Sequence, residues 1–499
     1  MTRYLTKTIT VLTFLLIPAL VAGQGIAQEN DTEIHMPSFS ELEESWNTMK
    51  PGGETSCAHG TEFEFYVYPG ESDRLMIFLY GGGACWNSDT CNPDREQPVY
   101  AQILRAHHNP ANRDPSFGRT FGILDAIHPE NPFYGHTKVA VPYCTGDLYL
   151  GKRDEVYRLA GDNGTDQEFT IRHRGITNMQ AVLNWVFENI REPETIFVGG
   201  TSAGGIAVPY YSNLVAIHYP DVPVKSVADD VASYRRYEMK GIDHTRWGVP
   251  ETLAGKDDRW AGLWEHGFDM PDLFIRSAMN MPNLSLYQVD HANDQTQKFY
   301  IELLGNRYPD VASLIQYNRN AIQSVVPEFR GFTSGGIEHG ILRTALFYRQ
   351  HTDDIRIRDW IASIAAGVEV DDVQCSECRR AGFIYGELDL EIIDISIKLL
   401  SAPDSWNPIH EAGPCPQNAE QFSLLCAVVE GVRNRSDDPP LFHPAVWDVI
   451  YTSLELQDHD PTWTAPVSFN NRPDATREEM VELLKKVRKR ILERLAENP

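Results

Sequence analysis

The chain has 499 residues, of which 42% are hydrophobic and 10% are aromatic, so it is globular rather than disordered. Its length allows one large domain or two to three smaller ones. Its net charge of −26 at pH 7 argues against nucleic acid and anionic membranes as partners, because such a surface repels both.

The first 23 residues are predicted to be a secretory signal peptide. Arg3 and Lys7 precede an apolar stretch, Ile9–Val21, and small residues follow at Val21-Ala22-Gly23 or Gly25-Ile26-Ala27. The apolar stretch is too short to span a bilayer, and no later run is long and apolar enough to do so. We therefore expect a secreted or periplasmic protein, a monomer, with no stable membrane insertion.

Strand-like and helical patterns alternate along the first two thirds of the chain. The clearest helix is predicted over Gly175–Asn189, where apolar residues recur every three or four positions. Strands are predicted at Glu62–Tyr68, Arg74–Tyr80, Lys138–Pro142, Glu194–Val198, Val224–Ala228 and Leu284–Val289. This alternation predicts an α/β fold, with a mostly parallel sheet, helices on both faces and a ligand crevice beyond the carboxyl ends of the strands.

After about Gly367 the alternation weakens and helical patterns dominate. Helices are predicted over Leu388–Leu400 and Gln421–Val432, and a last helix begins with a capping box formed by Thr476 and Glu479. We predict one α/β domain over residues 36–368 and an appended C-terminal helical region over residues 369–499 that packs on the core and is not catalytic.

Residues 200–204 read G-x-S-x-G, the pattern of a nucleophile elbow. They lie between the predicted strand Glu194–Val198 and an apolar helical stretch, Ala203–Tyr219. A sharp strand-to-helix turn requires small neighbours, which the glycines and Ala203 supply. We predict that Ser202 is a nucleophile.

A glycine cluster, Gly81-Gly82-Gly83, directly follows the strand Arg74–Tyr80. Glycines let the backbone approach a substrate closely, and backbone N–H groups can bind an oxygen that becomes negative during acyl transfer. The predicted oxyanion-hole donors are the N–H groups of Gly83, Ala84 and Ala203.

A serine nucleophile needs a base and an acid that orients the base, and in this fold they follow the serine in the order acid, then histidine. Asp294 comes just after the strand Leu284–Val289, and His339 lies in a glycine-flanked loop. The residues alone leave alternatives open, and these are the acids Asp229, Asp230 and Asp290 and the bases His351 and His410.

Eight cysteines in an exported chain indicate disulfides. Cys85 and Cys91 bracket a short loop after the glycine cluster, and Cys57 with Cys144 and Cys415 with Cys426 are further plausible pairs. Cys375 and Cys378 form a single C-x-x-C with no nearby histidine pair, so we expect a structural link there and no metal.

Several motifs in the same order resemble the pectin acetylesterase/Notum family of α/β-hydrolases, over roughly residues 57–367. They are Cys57-Ala58-His59-Gly60-Thr61, Leu79-Tyr80-Gly81-Gly82-Gly83-Ala84-Cys85-Trp86, Pro142-Tyr143-Cys144-Thr145-Gly146-Asp147, Thr201-Ser202-Ala203-Gly204-Gly205 and Asp294-Gln295-Thr296-Gln297. The resemblance favours Asp294 over Asp290, because Asp294 begins the family's Asp-x-x-Gln motif, and it places His339 at a family-like distance.

The resemblance also implies substrate contacts at Trp86, Tyr143 and Asp147. The chain departs from the family at Ala84, where the family has tryptophan, and at Asp229-Asp230-Val231, where the family has small residues. Both departures lie where an acyl chain or leaving group would bind, so they concern the substrate class.

The expected function is that of a secreted serine carboxylesterase with a Ser202-His339-Asp294 triad and no metal or organic cofactor. The resemblance implies an O-acylated carbohydrate or another ester as substrate, with acetyl as the first expectation for the acyl group. Two alternatives stay open: a serine peptidase on the same fold, and a non-catalytic exported carbohydrate-binding protein.

Overall fold

The computed structural model describes the chain from residue 36 to residue 497 with several gaps. The described residues are 36–110, 122–160, 166–235, 241–249, 260, 269–279, 281–307, 309–410, 413–417, 419–436, 438–457 and 462–497. The predicted signal peptide lies outside the described residues. Within them, none of the helices is both long and apolar enough to cross a bilayer.

Short strands alternate with helices along most of the chain. The strands are β1 (Asn47–Met49), β2 (Phe65–Tyr68), β3 (Glu71–Leu79), β4 (His136–Val141), β5 (Arg153–Leu159), β6 (Gln167–His173), β7 (Thr195–Thr201), β8 (Val224–Asp229), β9 (Leu284–His291), β10 (Arg330–Ser334), β11 (Gln350–Thr352), β12 (Ile355–Arg356), β13 (Val373–Gln374) and β14 (Gly382–Phe383). All six predicted strands are among them, with ends that differ by up to three residues.

The described helices are concentrated in the second half of the chain. They are α1 (Gly175–Asn189), α2 (Ala203–His218), α3 (Met270–Ala278), α4 (Gln295–Leu303), α5 (Val311–Gln323), α6 (Ile357–Ala365), α7 (Glu387–Ser401), α8 (Leu424–Arg433), α9 (Pro444–Gln457), α10 (Ala465–Asn470) and α11 (Arg477–Glu497). Short 3-10 helices lie at Phe39–Glu41, Ala106–His108, Gly122–Leu124, His244–Trp247, Ala345–Tyr348 and Pro440–Phe442. The predicted helix Gly175–Asn189 is confirmed at both ends.

Nine of these strands form one sheet in the order β1-β2-β4-β3-β7-β8-β9-β10-β13. From β4 to β13 every neighbouring pair is parallel, whereas β1 pairs with β2, and β2 with β4, in antiparallel fashion. The predicted mostly parallel sheet is confirmed. Strand β7, with the nucleophile elbow at its carboxyl end, lies in the middle of it.

Helices cover both faces of the sheet. Successive residues of a strand face opposite sides, so the neighbours of consecutive residues show what packs on each face. Ile196 and Val198 of β7 belong to a hydrophobic cluster with residues of α1 and α2. Phe197, between them, belongs to a second cluster with residues of α6, α7, α8, α9 and α11. The C-terminal helices therefore bury the second face of the central sheet.

Residues 369–499 belong to the same compact unit as the sheet, which extends from Met36 to Pro499. Within this region β13 adds an edge strand to β10 by parallel pairing. The last helix begins with the predicted capping box, in which the Thr476 N–H donates to Glu479 Oε2 at 2.9 Å. The division at residue 368 stays a prediction.

Four disulfides link all eight cysteines. They join Cys57 to Cys144, Cys85 to Cys91, Cys375 to Cys378 and Cys415 to Cys426, so the expected pairs are confirmed. Cys85–Cys91 closes a short loop directly after the glycine cluster, and Cys57–Cys144 joins the segment before β2 to the segment after β4.

Candidate active site

Ser202 lies at the turn between β7 and α2, with φ 56° and ψ −125°. A non-glycine residue with this backbone conformation is strained, and the surrounding packing must hold it there. The Ser202 N–H donates to the Asp229 carbonyl at 2.9 Å, and its own carbonyl accepts from Ile206 N at 3.0 Å. The turn is therefore fixed on one side by β8 and on the other by the first turn of α2.

The glycines of the elbow allow a very close approach of neighbouring backbone. A Cβ atom at Gly204 would lie 2.1 Å from the Leu79 carbonyl oxygen, and one at Gly81 would lie 2.7 Å from Ser202 Cβ. Both distances are too short for any side chain, so the glycine cluster after β3 lies directly against the nucleophile turn.

The predicted oxyanion loop is held in place by backbone contacts. Gly83 has φ +73° and pairs with Tyr100 in an isolated antiparallel bridge, and the Ala101 N–H donates to the Gly82 carbonyl at 2.7 Å. Tyr300, on α4, lies against this loop, because a Cβ at Gly83 would be 2.1 Å from its hydroxyl oxygen.

A small, largely apolar cavity opens beside Ser202, with a volume of about 30 Å³. The predicted donors Gly83, Ala84 and Ala203 contribute to its lining together with the nucleophile. The other described lining residues are Trp86, Leu148, Ile206, Tyr234, Ile242, Tyr300 and Leu304.

His339 and Asp294 form a hydrogen-bonded pair, with His339 Nδ1 2.7 Å from Asp294 Oδ2. Asp294 is fully buried, and it also caps α4, because its Oδ1 accepts from the N–H groups of Thr296 at 2.7 Å and Gln297 at 3.0 Å. His339 Nε2 is buried and has no hydrogen-bond partner among the described residues. The imidazole is thus oriented from its far nitrogen, and its other nitrogen is available.

Asp229 and Asp230 anchor the loop of His339 to the nucleophile turn. The Asp229 carboxylate accepts from the Thr201 hydroxyl at 2.7 Å and from the Leu342 N–H at 3.1 Å. The Asp230 carboxylate accepts from the Gly340 N–H at 2.5 Å. A Cβ at Gly340 would lie 2.6 Å from Thr201 Cγ2, so the residues next to His339 and Ser202 are in contact.

Comparison with known proteins finds sequence similarity in the first half of the chain. Residues 48–247 match the pectinacetylesterase family model. The chain is 25% identical over 220 residues to the palmitoleoyl-protein carboxylesterase NOTUM of Mus musculus, covering 42% of this chain and 40% of that protein. Over this region the chain is similar to the pectin acetylesterase/Notum family.

Two further proteins of the comparison are also similar to this chain. The inactive palmitoleoyl-protein carboxylesterase notum1b of Danio rerio is 32% identical over 98 residues, which cover 19% of this chain and 66% of that protein. The structure of the Wnt deacylase Notum from Drosophila covers 67% of this chain and 97% of its own, with 18% identity and a TM-score of 0.48. The chain spans about two-fifths of the length of the mouse protein.

A buried ion pair between Asp230 and His291 lies beneath the base. The Asp230 carboxylate lies 3.0 Å from His291 Nδ1, and both side chains are fully buried. Although burial opposes its charge, Asp230 raises the pKa of His291 to about 10, and His291 in turn holds the pKa of Asp230 below its ordinary value. A charged pair therefore lies under the Gly340 backbone.

The pKa of His339 reflects its acidic surroundings. Burial disfavours the imidazolium and lowers this pKa, but the negative charges of Asp294, Asp230 and Asp229 outweigh burial and leave it above its ordinary value. His339 therefore holds a proton more firmly than an exposed histidine does.

The competing candidates have other partners. Asp290 accepts from the N–H groups of Val231 at 3.0 Å and Ala232 at 2.9 Å, and its pKa is raised well above the ordinary value by burial. His351 Nδ1 lies 2.6 Å from the Asp353 carbonyl, and His410 Nδ1 lies 2.7 Å from Ser423 Oγ. None of these contacts joins the Ser202 turn.

The three predicted substrate-binding residues are not brought together. Trp86 lines the cavity beside Ser202. Tyr143 is buried under Gly82, and its hydroxyl accepts from the Leu148 N–H at 2.7 Å. The Asp147 carboxylate is fully buried and accepts from Thr145 Oγ1 at 2.6 Å and Gly175 N at 2.8 Å. Neither Tyr143 nor Asp147 is among the described residues that line the cavity.

The C-terminal region braces the loops of the acid and the base, which the sequence did not reveal. The Cys378 carbonyl accepts from Gly336 N at 3.0 Å and from Asn293 Nδ2 at 2.6 Å. Tyr451, on α9, donates to the buried carboxylate of Glu338. Asn293 and Glu338, which precede Asp294 and His339, are thus hydrogen-bonded to the C-terminal region, whose sequence has no motif that predicts these contacts.

Among the residues that the structure describes, three groups of side chains have the composition of metal ligands. Two of them consist of one histidine and two cysteines that form a disulfide, so they offer no thiolate. In the third, atoms of Asp230, Asp294 and His339 lie within 4.8 Å of one another, but hydrogen bonds to protein donors already occupy both carboxylates. This group is better explained as support for the imidazole.

Proposed function

We propose that this protein is a secreted serine carboxylesterase that removes a short acyl group, acetyl above all, from an O-acylated substrate. The observation that carries the proposal is the strained Ser202 turn beside a cavity lined by glycine and alanine backbone, with the His339–Asp294 pair on a loop in contact with that turn. The four disulfides support export, because they persist in oxidising compartments.

The chemistry follows from the roles of these groups. His339 Nε2 takes the proton of the Ser202 hydroxyl as its oxygen attacks the ester carbonyl, and Asp294 stabilises the imidazolium that forms. The carbonyl oxygen becomes negative and is bound by the N–H groups of Gly83, Ala84 and Ala203. The imidazolium then gives its proton to the departing alcohol, and water repeats the sequence on the acyl-enzyme to release the acid.

The volume of the cavity supports a short acyl group. On this measure one water molecule needs roughly 10–15 Å³, so a cavity of about 30 Å³ has room for only a few atoms. This volume favours a small group, such as the methyl group of an acetyl ester, over a long acyl chain such as the palmitoleoyl group named for the mouse relative.

The charge of the protein bears on the alcohol part of the substrate. A net charge of −26 repels polyanions at long range, so an acidic polysaccharide is disfavoured. We therefore propose a neutral acetylated carbohydrate, or another neutral acetyl ester, as the substrate class.

Covalent labelling together with paired substrates tests this function. A fluorophosphonate probe is expected to add one phosphonyl group to the intact protein, and peptide mapping should place it on Ser202. The protein should hydrolyse 4-nitrophenyl acetate and leave 4-nitroacetanilide, the matching amide, essentially uncleaved. Labelling at another residue, or amide cleavage as efficient as ester cleavage, would show that the esterase proposal is incorrect.

The pH dependence of kcat/KM should report the acidic surroundings of His339. The base must be unprotonated to act, and its pKa is raised, so activity should rise with pH through a midpoint above about 6.5. Asp230→Asn removes one of the charges that hold the proton, and the midpoint should move to lower pH. The exposed Asp474→Asn serves as control, and an identical shift in both variants would contradict this assignment.

A further inference from the structure

Tyr300 connects the helix of the acid to the loop of the oxyanion donors. It lies on α4, the helix that Asp294 caps, and its hydroxyl donates to the Val99 carbonyl. Val99 precedes Tyr100, which pairs with Gly83 in an antiparallel bridge. The hydroxyl of one side chain thus ties α4 to the backbone beside the glycine cluster.

The approach of Tyr300 to this loop is as close as glycine allows. A Cβ at Gly83 would lie 2.1 Å from the Tyr300 hydroxyl oxygen and 2.1 Å from the Val99 carbonyl oxygen. Gly83 is therefore required both by its positive φ and by the tyrosine seated against it. These contacts fix the position of the aromatic ring.

The ring of Tyr300 contributes to the lining of the cavity beside Ser202, together with Leu304 of the same segment. Most of the remaining described lining is apolar and buried, such as Trp86 and Ile206. A cavity of about 30 Å³ leaves little space next to this ring. Because Tyr300 is partly buried and its hydroxyl is bonded to Val99, its ring yields only at a cost, and a ligand atom that needs the place of the ring is disfavoured.

We propose that Tyr300 is the specificity-determining residue that limits the acyl group to acetyl length, because its tethered ring fills the space that a longer chain would occupy. This inference rests on the proposed esterase function and deepens it. The hydroxyl tether matters because a ring free to rotate would admit longer chains.

Kinetics on esters of increasing chain length test the proposal. The probes are 4-nitrophenyl acetate, butyrate and octanoate, and the quantity measured is the ratio of kcat/KM for octanoate to that for acetate. Tyr300→Val removes the ring, and the ratio should rise by about 10-fold or more, since each methylene accepted by an apolar pocket changes the rate by at least about that factor. Tyr300→Leu should give a smaller rise.

Two further variants separate the ring from other effects. Phe299→Val alters an exposed neighbour on the same helix, 5.2 Å away between ring centroids, and should leave the ratio unchanged. Tyr300→Phe keeps the ring but loses the tether, so its ratio should rise less than that of Tyr300→Val. Melting temperature and fluorophosphonate labelling show whether each variant is folded.

An unchanged ratio in a folded, labelled Tyr300→Val protein overturns the proposal. If Tyr300→Val does not fold, an unchanged ratio in Tyr300→Leu overturns it instead. A rise as large in Phe299→Val also overturns it. If the unaltered protein hydrolyses none of the three esters, the proposed function fails and this inference fails with it. That outcome differs from an active enzyme whose chain-length preference is independent of Tyr300.

Discussion

Replacing Ser202 by alanine is expected to lower kcat for 4-nitrophenyl acetate by about 10⁴–10⁶-fold, the loss typical of removing the nucleophile of a catalytic triad. Alanine keeps the Cβ atom and occupies the same strained turn, so the backbone around residue 202 should not change. Catalysis by the remaining amides and the imidazole accounts for the residual rate. The measurement is steady-state hydrolysis, with the free energy of urea-induced unfolding determined in parallel.

Ser363→Ala provides the matched control for this loss. Ser363 lies on α6, and its hydroxyl bonds only to the Asp359 carbonyl at 3.0 Å in the described structure, far along the chain from the elbow. Its kcat should equal that of the unaltered protein. If Ser202→Ala kept more than about one hundredth of the activity, a contaminating or different nucleophile would have to be responsible, because triad serines do not tolerate this change.

The parts of the fold that the sequence predicts well are those in which local pattern and burial agree. The strand before the elbow is apolar and β-branched because β7 is buried on both faces, and Ile196, Phe197 and Val198 divide between two cores. Helix α1 is predicted at both ends because its apolar residues recur at helical spacing. In both segments one physical signal, burial, determines the pattern.

Strand β10 was not predicted, although it carries the loop of His339. Its sequence, Arg330-Gly331-Phe332-Thr333-Ser334, has a single large apolar residue and a glycine, so local propensity does not favour a strand. Pairing with β9 and β13 holds it in place. Gly331 is needed because a Cβ there would lie 2.3 Å from Nε of the buried Arg319. Arg319 lies on α5, outside the strand, so the sequence of the strand itself does not predict the need for glycine.

The candidate site also has parts that the sequence predicts and parts that it does not. The elbow and the glycine cluster are recognisable because backbone strain demands small residues at fixed spacing. The Asp230–His291 ion pair, the Tyr300 tether and the contact of Tyr451 with Glu338 join residues that are 61 or more positions apart. Such contacts leave no local pattern, so only the structure reveals them.

The second large effect is expected for Asp294→Asn, which should lower kcat by about 10⁴-fold, as loss of the triad carboxylate does elsewhere. The amide oxygen can keep the cap of α4 by accepting from Thr296 N and Gln297 N. The amide NH₂ group then faces His339 Nδ1, in the place where Asp294 Oδ2 accepts a hydrogen bond from that nitrogen at 2.7 Å. The imidazole must turn its Nδ1 lone pair toward that NH₂ group, so its proton moves to Nε2 and it cannot act as a base toward Ser202.

Asp310→Asn separates this effect from the loss of a helix cap. Asp310 caps α5 as Asp294 caps α4, and its Oδ1 accepts from Ser313 N at 3.1 Å, but it has no contact with the triad among the described residues. Both variants should lose similar, small amounts of unfolding free energy, roughly 1 kcal/mol or less, and only Asp294→Asn should lose activity.

Near-full activity in Asp294→Asn would require another acid, and Asp230 is the nearest alternative, with atoms of Asp230, Asp294 and His339 within 4.8 Å of one another. The bonding of Asp230 argues against that role. Its Oδ2 accepts from Gly340 N at 2.5 Å and its Oδ1 from His291 N at 2.8 Å, while the His291 ring lies against the same carboxylate. Asp230 can therefore stabilise the imidazolium through its charge, but only Asp294 offers an oxygen in line with His339 Nδ1.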